Sequence, residues 1–377
     1  MSVEIRQHRP GKDLKDFIQV AFDVYADDAA WVAPLNMEIK DRLTPEKNPF
    51  FEHAEVALFT AWQDGKAVGR ISAQIDHEHL RIHKDNAGFF GFFDTIDDQE
   101  VASALLQTAE HWLANRGMSV MRGPFSLSIN EETGLLVEGF DKPPVLMSPH
   151  HREYQGKLAE GAGLQKVKDC YGWWYDVVAP TARGQRAWES IVALPEFRFR
   201  TVDRKNLENE VHDLLDVFND AWQHNWGFVP ATDAEAKKMA ADLALILNDL
   251  SFFAEIDGQP VGICVCPPNL NEVIHDFDGK LSPGNIGKLL WRLKLKGPKS
   301  ARLILLGIRT ELRGKRRYAP LAQAIINELI RRGLRMGYEW AELGWTLEDN
   351  RLINAAIRSV GGKIYKRYRI YEKPIGA

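Results

Sequence analysis

The sequence predicts a mixed α/β fold made of two tandem copies of one unit, and three observations carry that prediction. First, one order of elements occurs twice: a short strand, an amphipathic helix, a loop with Trp and Pro, and a charged helix. In the first half it runs through VEIRQHR, DLKDFIQVAFDVYADD, Trp31, Pro34 and NMEIKDRL. In the second it runs through FRFRTVDR, NLENEVHDLLDVFNDAWQ, Trp226, Pro230 and DAEAKKMAADL. Second, two strand pairs turn on Asp64-Gly65 and on Asp257-Gly258, a dipeptide suited to the positive φ angles of a tight hairpin. Third, YQGKLAEGAG before Gly163 is mirrored by INAAIRSVGG, which ends at Gly362. Trp31 and Trp226, Gly65 and Gly258, and Gly163 and Gly362 lie 195, 193 and 199 positions apart. The chain therefore reads as an N-terminal unit over 1–180 and a C-terminal unit over 197–377, parted where APTARGQRAWESIVALPE interrupts the pattern. A length of 377 residues, about twice that of one domain, agrees.

Composition bounds the function. An apolar share of 45% and a charged share of 27% are those of an ordinary soluble globular protein. A net charge of −4 argues against a dedicated nucleic-acid binder, whose binding face is basic. Cys170, Cys264 and Cys266 are too few for a disulfide framework. Cys264 and Cys266 share one strand face, but two ligands do not make a zinc site, so they read as small buried hydrophobes and no metal is expected. MSVEIRQHRPGKDLKDF has no apolar signal core and no run is long enough to span a membrane, so a cytoplasmic, reducing compartment is expected. GxxxxGK[ST] and GxGxxG are both absent, which leaves a P-loop hydrolase and a Rossmann cofactor unsupported.

The stretch IRTELRGKRRYAPLAQAIINELI places Arg309, Arg313, Lys315, Arg316 and Arg317 between two elements of opposite kind. Upstream, ARLILLGI is a near-continuous apolar run, as expected for a strand covered on both faces. Downstream, Pro320 suits a first helical turn, and Leu321, Ile325, Ile326 and Leu329 recur at helical spacing. The basic stretch is thus a strand-to-helix turn, with backbone amides and the positive end of the helix dipole at its mouth. Arg and Lys there add charge that a pyrophosphate would use; the alternative is a solvated basic turn.

The order strand, helix, helix, hairpin, strand, Arg-Gly-Lys turn, helix, strand, Asn-bearing helix, strand resembles the GNAT superfamily of acyl-CoA-dependent N-acyltransferases. Arg313, Gly314 and Lys315 match that family's turn, while Arg316 and Tyr318 stand where glycines are commonest and Ala319 follows. DNRLINAAIRSVGG keeps the family spacing from Asn350 to Gly361. Ile357 stands where many members carry the Tyr that protonates the departing thiolate. The resemblance implies acyl-CoA as co-substrate, its pyrophosphate on Arg313, Gly314, Lys315, Arg316, Arg317, Tyr318 and Ala319, with Asn350 nearby. It places the acyl thioester along Leu306, Gly307 and Ile308. In the first half, GFFGFFDTIDDQEVASALLQTAEHW passes from strand to helix through aspartates that would repel a pyrophosphate, so a single coenzyme site, in the second half, is expected. The pattern NPFFEHAEV, GPFSLSINEE and TLEDNRLIN further resembles a bacterial group of tandem chains that includes ceramide-synthase-like acyltransferases. That implies a long-chain acyl donor and a sphingoid-type amine; a non-catalytic acyl-CoA sensor on the same fold is the alternative.

Other segments offer candidates for the remaining chemistry. In GPFSLSINEETGLLVEGFDKPPVLMSPHH, Glu131 and Glu132 sit beside Asn130 and among Leu127, Ile129, Leu135 and Leu136. Apolar surroundings favour a protonatable carboxylate able to act as a general base toward an ammonium; a polar capping loop is the other reading. His224 in WQHNWGFVP is a further candidate base near neutral pH. His77, His79 and His83 in DHEHLRIHKD read as a surface loop rather than a metal site. The aromatic runs GFFGFF and YGWWYD read as core. SPGNIGKLLWRLKLKGPKS spans 282–300, and its stretch 284–299 interleaves Leu and Trp with Lys and Arg. It fits a peripheral contact at the inner membrane face, a guide for a lipid-like acyl chain, or an amphipathic cover for the core. The partner expected is a small-molecule or lipid amine.

Overall fold

The computed structural model describes residues 2–244 and 246–376. The chain divides into two compact units: Met1–Cys170 with Ile274–Ile286 and Lys366–Ala377, and Tyr171–Val273 with Gly287–Tyr365. Elements follow in chain order as β1 (Glu4–His8), α1 (Leu14–Val24), α2 (Asn36–Arg42), β2 (Ala54–Gln63), β3 (Lys66–Asp76), α3 (His77–His83), β4 (Ala87–Thr95), α4 (Gln99–Ala114) and β5 (Val120–Gly123). Then come β6 (Phe125–Ser126), β7 (Glu132–Thr133), β8 (Leu135–Glu138), α5 (Glu153–Gly161), β9 (Gln165–Asp176), α6 (Ala182–Val192), β10 (Phe197–Thr201), α7 (Leu207–Trp222) and α8 (Asp233–Leu243). The chain ends with β11 (Phe252–Ile256), β12 (Gln259–Val265), α9 (Leu270–Ile274), α10 (Pro283–Trp291), β13 (Ser300–Leu303), β14 (Leu305–Ile308), α11 (Leu321–Met336), β15 (Trp340–Leu347), α12 (Arg351–Ser359) and β16 (Lys363–Pro374).

In the first unit the strands lie in the order β1-β2-β3-β4-β5-β16, antiparallel except for β4 and β5. Asp64 and Gly65 take φ of 49° and 76° at the β2–β3 turn, the double positive φ of the hairpin the dipeptide predicts. The helix α4 lies so close on β3 that a Cβ at Gly69 would stand 2.8 Å from Leu105 Cδ1. Leu105, Leu106, Ala109 and Leu113 of α4 form the main core with Phe90, Phe93 and Ile71. On the other sheet face Phe92 packs with Phe17 and Ile18 of α1. All nine residues of β4 are buried.

The second unit repeats the same order of elements. The strands β10-β11-β12-β14 pair antiparallel, and Asp257 and Gly258 take φ of 50° and 78° at the second hairpin. Leu321, Ile325 and Leu329 of α11 pack with Cys264 and Cys266, while Ile326 and Ile330 face a separate cluster with Trp173 and Leu343. Both cysteines are buried free thiols, and burial raises their pKa values. Among the described residues no group of three or more His, Cys, Asp or Glu is placed to hold a metal.

One segment gains a definite structure and one expectation, the surface loop at the histidines, is corrected. The segment that interrupts the repeat is the helix α6, started by Thr181 accepting from Gly184 N. It lies against α11 so closely that a Cβ at Gly184 would meet Asn327 at 2.3 Å. The histidine-rich stretch is the helix α3, capped by Asp76, whose carboxylate accepts from Glu78 N and His79 N. His79 is buried, 3.0 Å from Asp85 and stacked on His83. A cap upstream of the histidines supplies the partners a solvated loop would take from water.

The first unit also encloses a polar interior. Arg70 Nε donates to Asp94 Oδ2 at 2.6 Å and Tyr25 Oη donates to the same carboxylate. Burial works against the Asp94 charge, but Arg70, His151 and Tyr25 hold its pKa below the usual carboxylate range. His151 Nδ1 accepts the Leu136 amide at 3.0 Å, and burial lowers this imidazole to about 4. An imidazole that ionises near 6.5 unfolded and near 4 folded leaves stability complete above pH 6.5. That contribution, roughly 3 kcal/mol, is lost as the pH falls between those values. His151→Asn keeps an acceptor for the Leu136 amide without a titrating group. Denaturant melts from pH 6.5 down to 4 are expected to fall less steeply for this variant, and identical slopes would remove the assignment.

Candidate active site

The strand through Ser300–Ile308 changes neighbours midway. β13 runs parallel to β15, and that pairing ends at Leu303↔Leu343. On the opposite edge Arg302 N donates to Pro267 O and Ile304 N to Val265 O, and Leu305 also stands opposite Val265. Two residues facing one is a bulge, and it bends the strand. β14 then follows β12 through Gly262↔Ile308. Arg309 N donates to Val261 O, which makes Ile308 opposite Gly262, and by alternation Leu306 opposite Cys264, non-hydrogen-bonded positions. The backbone groups of Leu306 and Ile308 therefore point to the edge away from β12. Leu303, Ile304, Leu305, Leu306 and Ile308 are half-buried, which corrects the expectation of a strand covered on both faces. The lost parallel neighbour uncovers it. Gly307 is buried for a local reason, since a Cβ there would enter the Trp222 ring of α7 at 2.2 Å.

The basic turn follows, and three of its five cations are already engaged. Arg309 pairs with Asp216 at 2.5 Å. Arg313 donates to Ala221 O at 2.8 Å and to Ile308 O at 3.2 Å, tying the turn to the end of α7. Arg317 pairs with Glu196 at 2.6 Å, and Tyr318 Oη reaches the same carboxylate at 3.3 Å. Lys315 and Arg316 are exposed, and among the described residues no carboxylate pairs with either. Gly314 has φ of 86°, a conformation open to glycine at little cost. Pro320 precedes α11, and no side chain caps that helix. The amides of its first turn are thus not claimed by a side chain, and the dipole's positive end lies beside two free cations.

The corresponding place in the first unit is closed. β4 and β5 run parallel only from Ala87↔Val120 to Phe89↔Arg122, and β4 carries a register shift opposite Arg70 and Ser72. The chain at Phe125–Leu127 crosses directly over β4: a Cβ at Gly91 would lie 1.9 Å from Phe125 O. Gln74 Nε2 fixes that crossing by donating to Phe125 O at 2.6 Å. The α4 N-terminus is occupied too, for Asp98 accepts from Glu100 N at 2.8 Å and Val101 N at 3.3 Å. A carboxylate already sits where an anion would bind.

The other sequence candidates fall in different surroundings. Arg42 of α2 lies 2.5 Å from Glu131 and 3.3 Å from Glu132 and donates to Ser126 O. His224 is exposed in the loop after α7. Asn350 is the N-cap of α12, accepting from Ile353 N. Ile357 is buried among Trp173, Ile330 and Ala341, so an apolar side chain fills the place of the family's tyrosine. Sequence reasoning missed Arg42, Glu196 and Asp220, the last accepting from Thr310 N and Oγ1. Each is 84 or more positions from its partner, and no local pattern announces such a pair.

Comparison with known proteins fits this geometry. No family model matches the chain. It is 41% identical over 370 residues to a bacterial ceramide synthase of Caulobacter vibrioides, covering 96% of this chain and 95% of that one. It is 39% identical over 364 residues to Protein YghO of Escherichia coli, covering 96% and 93%. Among solved structures it resembles a tandem GNAT protein from the clavulanic acid biosynthesis pathway, with a TM-score of 0.62, 11% identity and coverage of 100% and 99%. A GCN5-related N-acetyltransferase from Sphaerobacter thermophilus gives 0.51 at 15% identity, covering 100% and 96%. The chain is an acyltransferase of tandem GNAT fold and belongs to the family of the bacterial ceramide synthase.

Proposed function

We propose that the chain transfers a long-chain acyl group from coenzyme A to a sphingoid-type amine. The observation that carries this reading is the contrast between the two strand-to-helix mouths. One is open, apolar along β14 and cationic at Lys315 and Arg316; the other is crossed by its own chain and capped by Asp98. In this reading the coenzyme lies in the C-terminal unit, 197–377, and the unit at 1–180 has lost its site. Lys315, Arg316 and the first turn of α11 would hold the pyrophosphate, with Arg313, Gly314, Arg317, Tyr318 and Ala319 shaping the turn and Asn350 close by.

The amine nitrogen forms the new C–N bond, the C–S bond breaks, and coenzyme A leaves as the thiol. The outward backbone edge at Leu306 and Ile308, on either side of Gly307, supplies amides to polarise the thioester carbonyl, and fixing both reactants accounts for much of the acceleration. The amine's proton needs a base, and the candidates for it are Glu131, Glu132 and His224. Because Ile357 is apolar, the thiolate takes its proton from another group. The acceptor is a lipid amine, and we place the reaction in the cytoplasm at the inner membrane face, with 284–299 as the contact.

The reading is tested by thiol release from palmitoyl-CoA with a sphingoid base, followed by mass spectrometry of the amide. Release that needs no amine, or no release with any amine, would end it. Arg316→Glu and Lys315→Glu are expected to raise KM for the acyl donor about tenfold each, the scale of one charge-assisted contact, with unchanged melting temperature. Arg313→Glu is expected to lower the melting temperature as well, because Arg313 ties α7 to the turn; equal effects of all three would make the turn structural. Among Glu131→Gln, Glu132→Gln and His224→Ala, the acting base is identified by a fall in kcat of about a hundredfold or more. Three unaltered kcat values would dismiss the set.

A further inference from the structure

We infer that the end of α10 and the segment following it form a docking face for an anionic lipid bilayer. α10 buries none of its residues, and it continues as a π-helical turn over Arg292–Lys296. Leu290, Trp291 and Leu295 are 49%, 52% and 78% exposed. Leaving three large apolar side chains in water within one short segment has a hydrophobic cost, and such a patch marks a contact. The neighbours give the partner's chemistry. Between Pro283 and Lys299 the chain carries Lys288, Arg292, Lys294, Lys296 and Lys299 and no Asp or Glu, in a protein whose net charge is −4.

Lys288, Lys294 and Lys296 are exposed beside the apolar residues. Arg292, in contrast, is turned inward, donating to Val273 O at 2.6 Å, and so fastens the segment to its unit. Leu289 and Leu293 are only half-buried. An indole flanked by leucines and lysines matches the boundary between acyl chains and head groups: the ring and aliphatic groups enter the boundary and the ammonium groups meet lipid phosphates. A protein partner with an apolar groove would match the leucines but leave this concentration of lysines unexplained.

The segment ends one residue before Ser300, where the strand of the active site begins. A bilayer held here would therefore lie at the start of the strand along which acyl transfer is proposed. That functional consequence rests on the transferase reading; the lipid contact does not.

The test is flotation of the full chain with vesicles of phosphatidylcholine alone or mixed with phosphatidylglycerol. The wild type is expected to float with the mixed vesicles and not with phosphatidylcholine. Trp291→Asp combined with Leu295→Asp is expected to weaken flotation more than about tenfold, and Lys294→Gln and Lys296→Gln about fivefold each, all with unchanged melting temperature. Transfer to a water-soluble amine is expected to be unchanged in every variant. If transfer is absent but flotation follows this pattern, the lipid face stands and the transferase reading fails. Equal flotation of wild type and the double aspartate variant, or equal binding to both vesicles, would overturn the proposal. So would a wild-type dimer that does not float and that Leu295→Asp dissociates, since the face would then be a self-association surface.

Discussion

A strand can hydrogen-bond on each edge only while a neighbour keeps pace with it, and the C-terminal unit depends on the place where that fails. From Ser300 to Leu303 the strand is paired on both sides; from Leu305 it keeps β12 and parts from β15. The bulge opposite Val265 is the cause, because one extra residue bends the strand away from a partner that continues straight. The divergence leaves the backbone of Leu306 and Ile308 facing outward, leaves their side chains half-buried, and delivers the chain to an uncapped helix end. Without that parting, the basic turn at 309–317 would be an ordinary solvated connection.

The N-terminal unit shows that the opening is a capacity of the fold and not its inevitable result. There β4 has its own register shift and its own divergence from β5. The gap is filled by Phe125–Leu127, pinned by Gln74, and the helix beyond it takes Asp98 as its cap. Gly91 permits the crossing, since any side chain there would enter the Phe125 carbonyl. Its interior is polar but internally satisfied at Arg70, Asp94 and Tyr25. A charge pair so enclosed is retained because removing either member would strand the other without solvent.

The division of work among the cations is also a tertiary matter. Arg309, Arg313, Lys315, Arg316 and Arg317 look alike in a sequence, yet Asp216, the Ala221 carbonyl and Glu196 claim three of them. What remains unpaired is two side chains and a helix end. The three engaged cations brace the turn, which in the proposed reading lowers the ordering cost of holding a long, flexible ligand.

The repeat, the Asp-Gly hairpins, the amphipathic faces of α1, α7 and α11 and the acidic start of α4 were legible in the sequence, because each is a local preference expressed within a few residues. The sequence also showed where the positive charge lies and which half lacks it. It did not show that the histidine-rich stretch is a capped helix, that Arg42 pairs with Glu131 and Glu132, or that β14 is uncovered. Nor did it show which arginines are already spent. Those outcomes depend on partners far away along the chain and on how two strands diverge in space. Sequence patterning fixes what each segment prefers to be; only packing decides which backbone edges and charges are left without a partner.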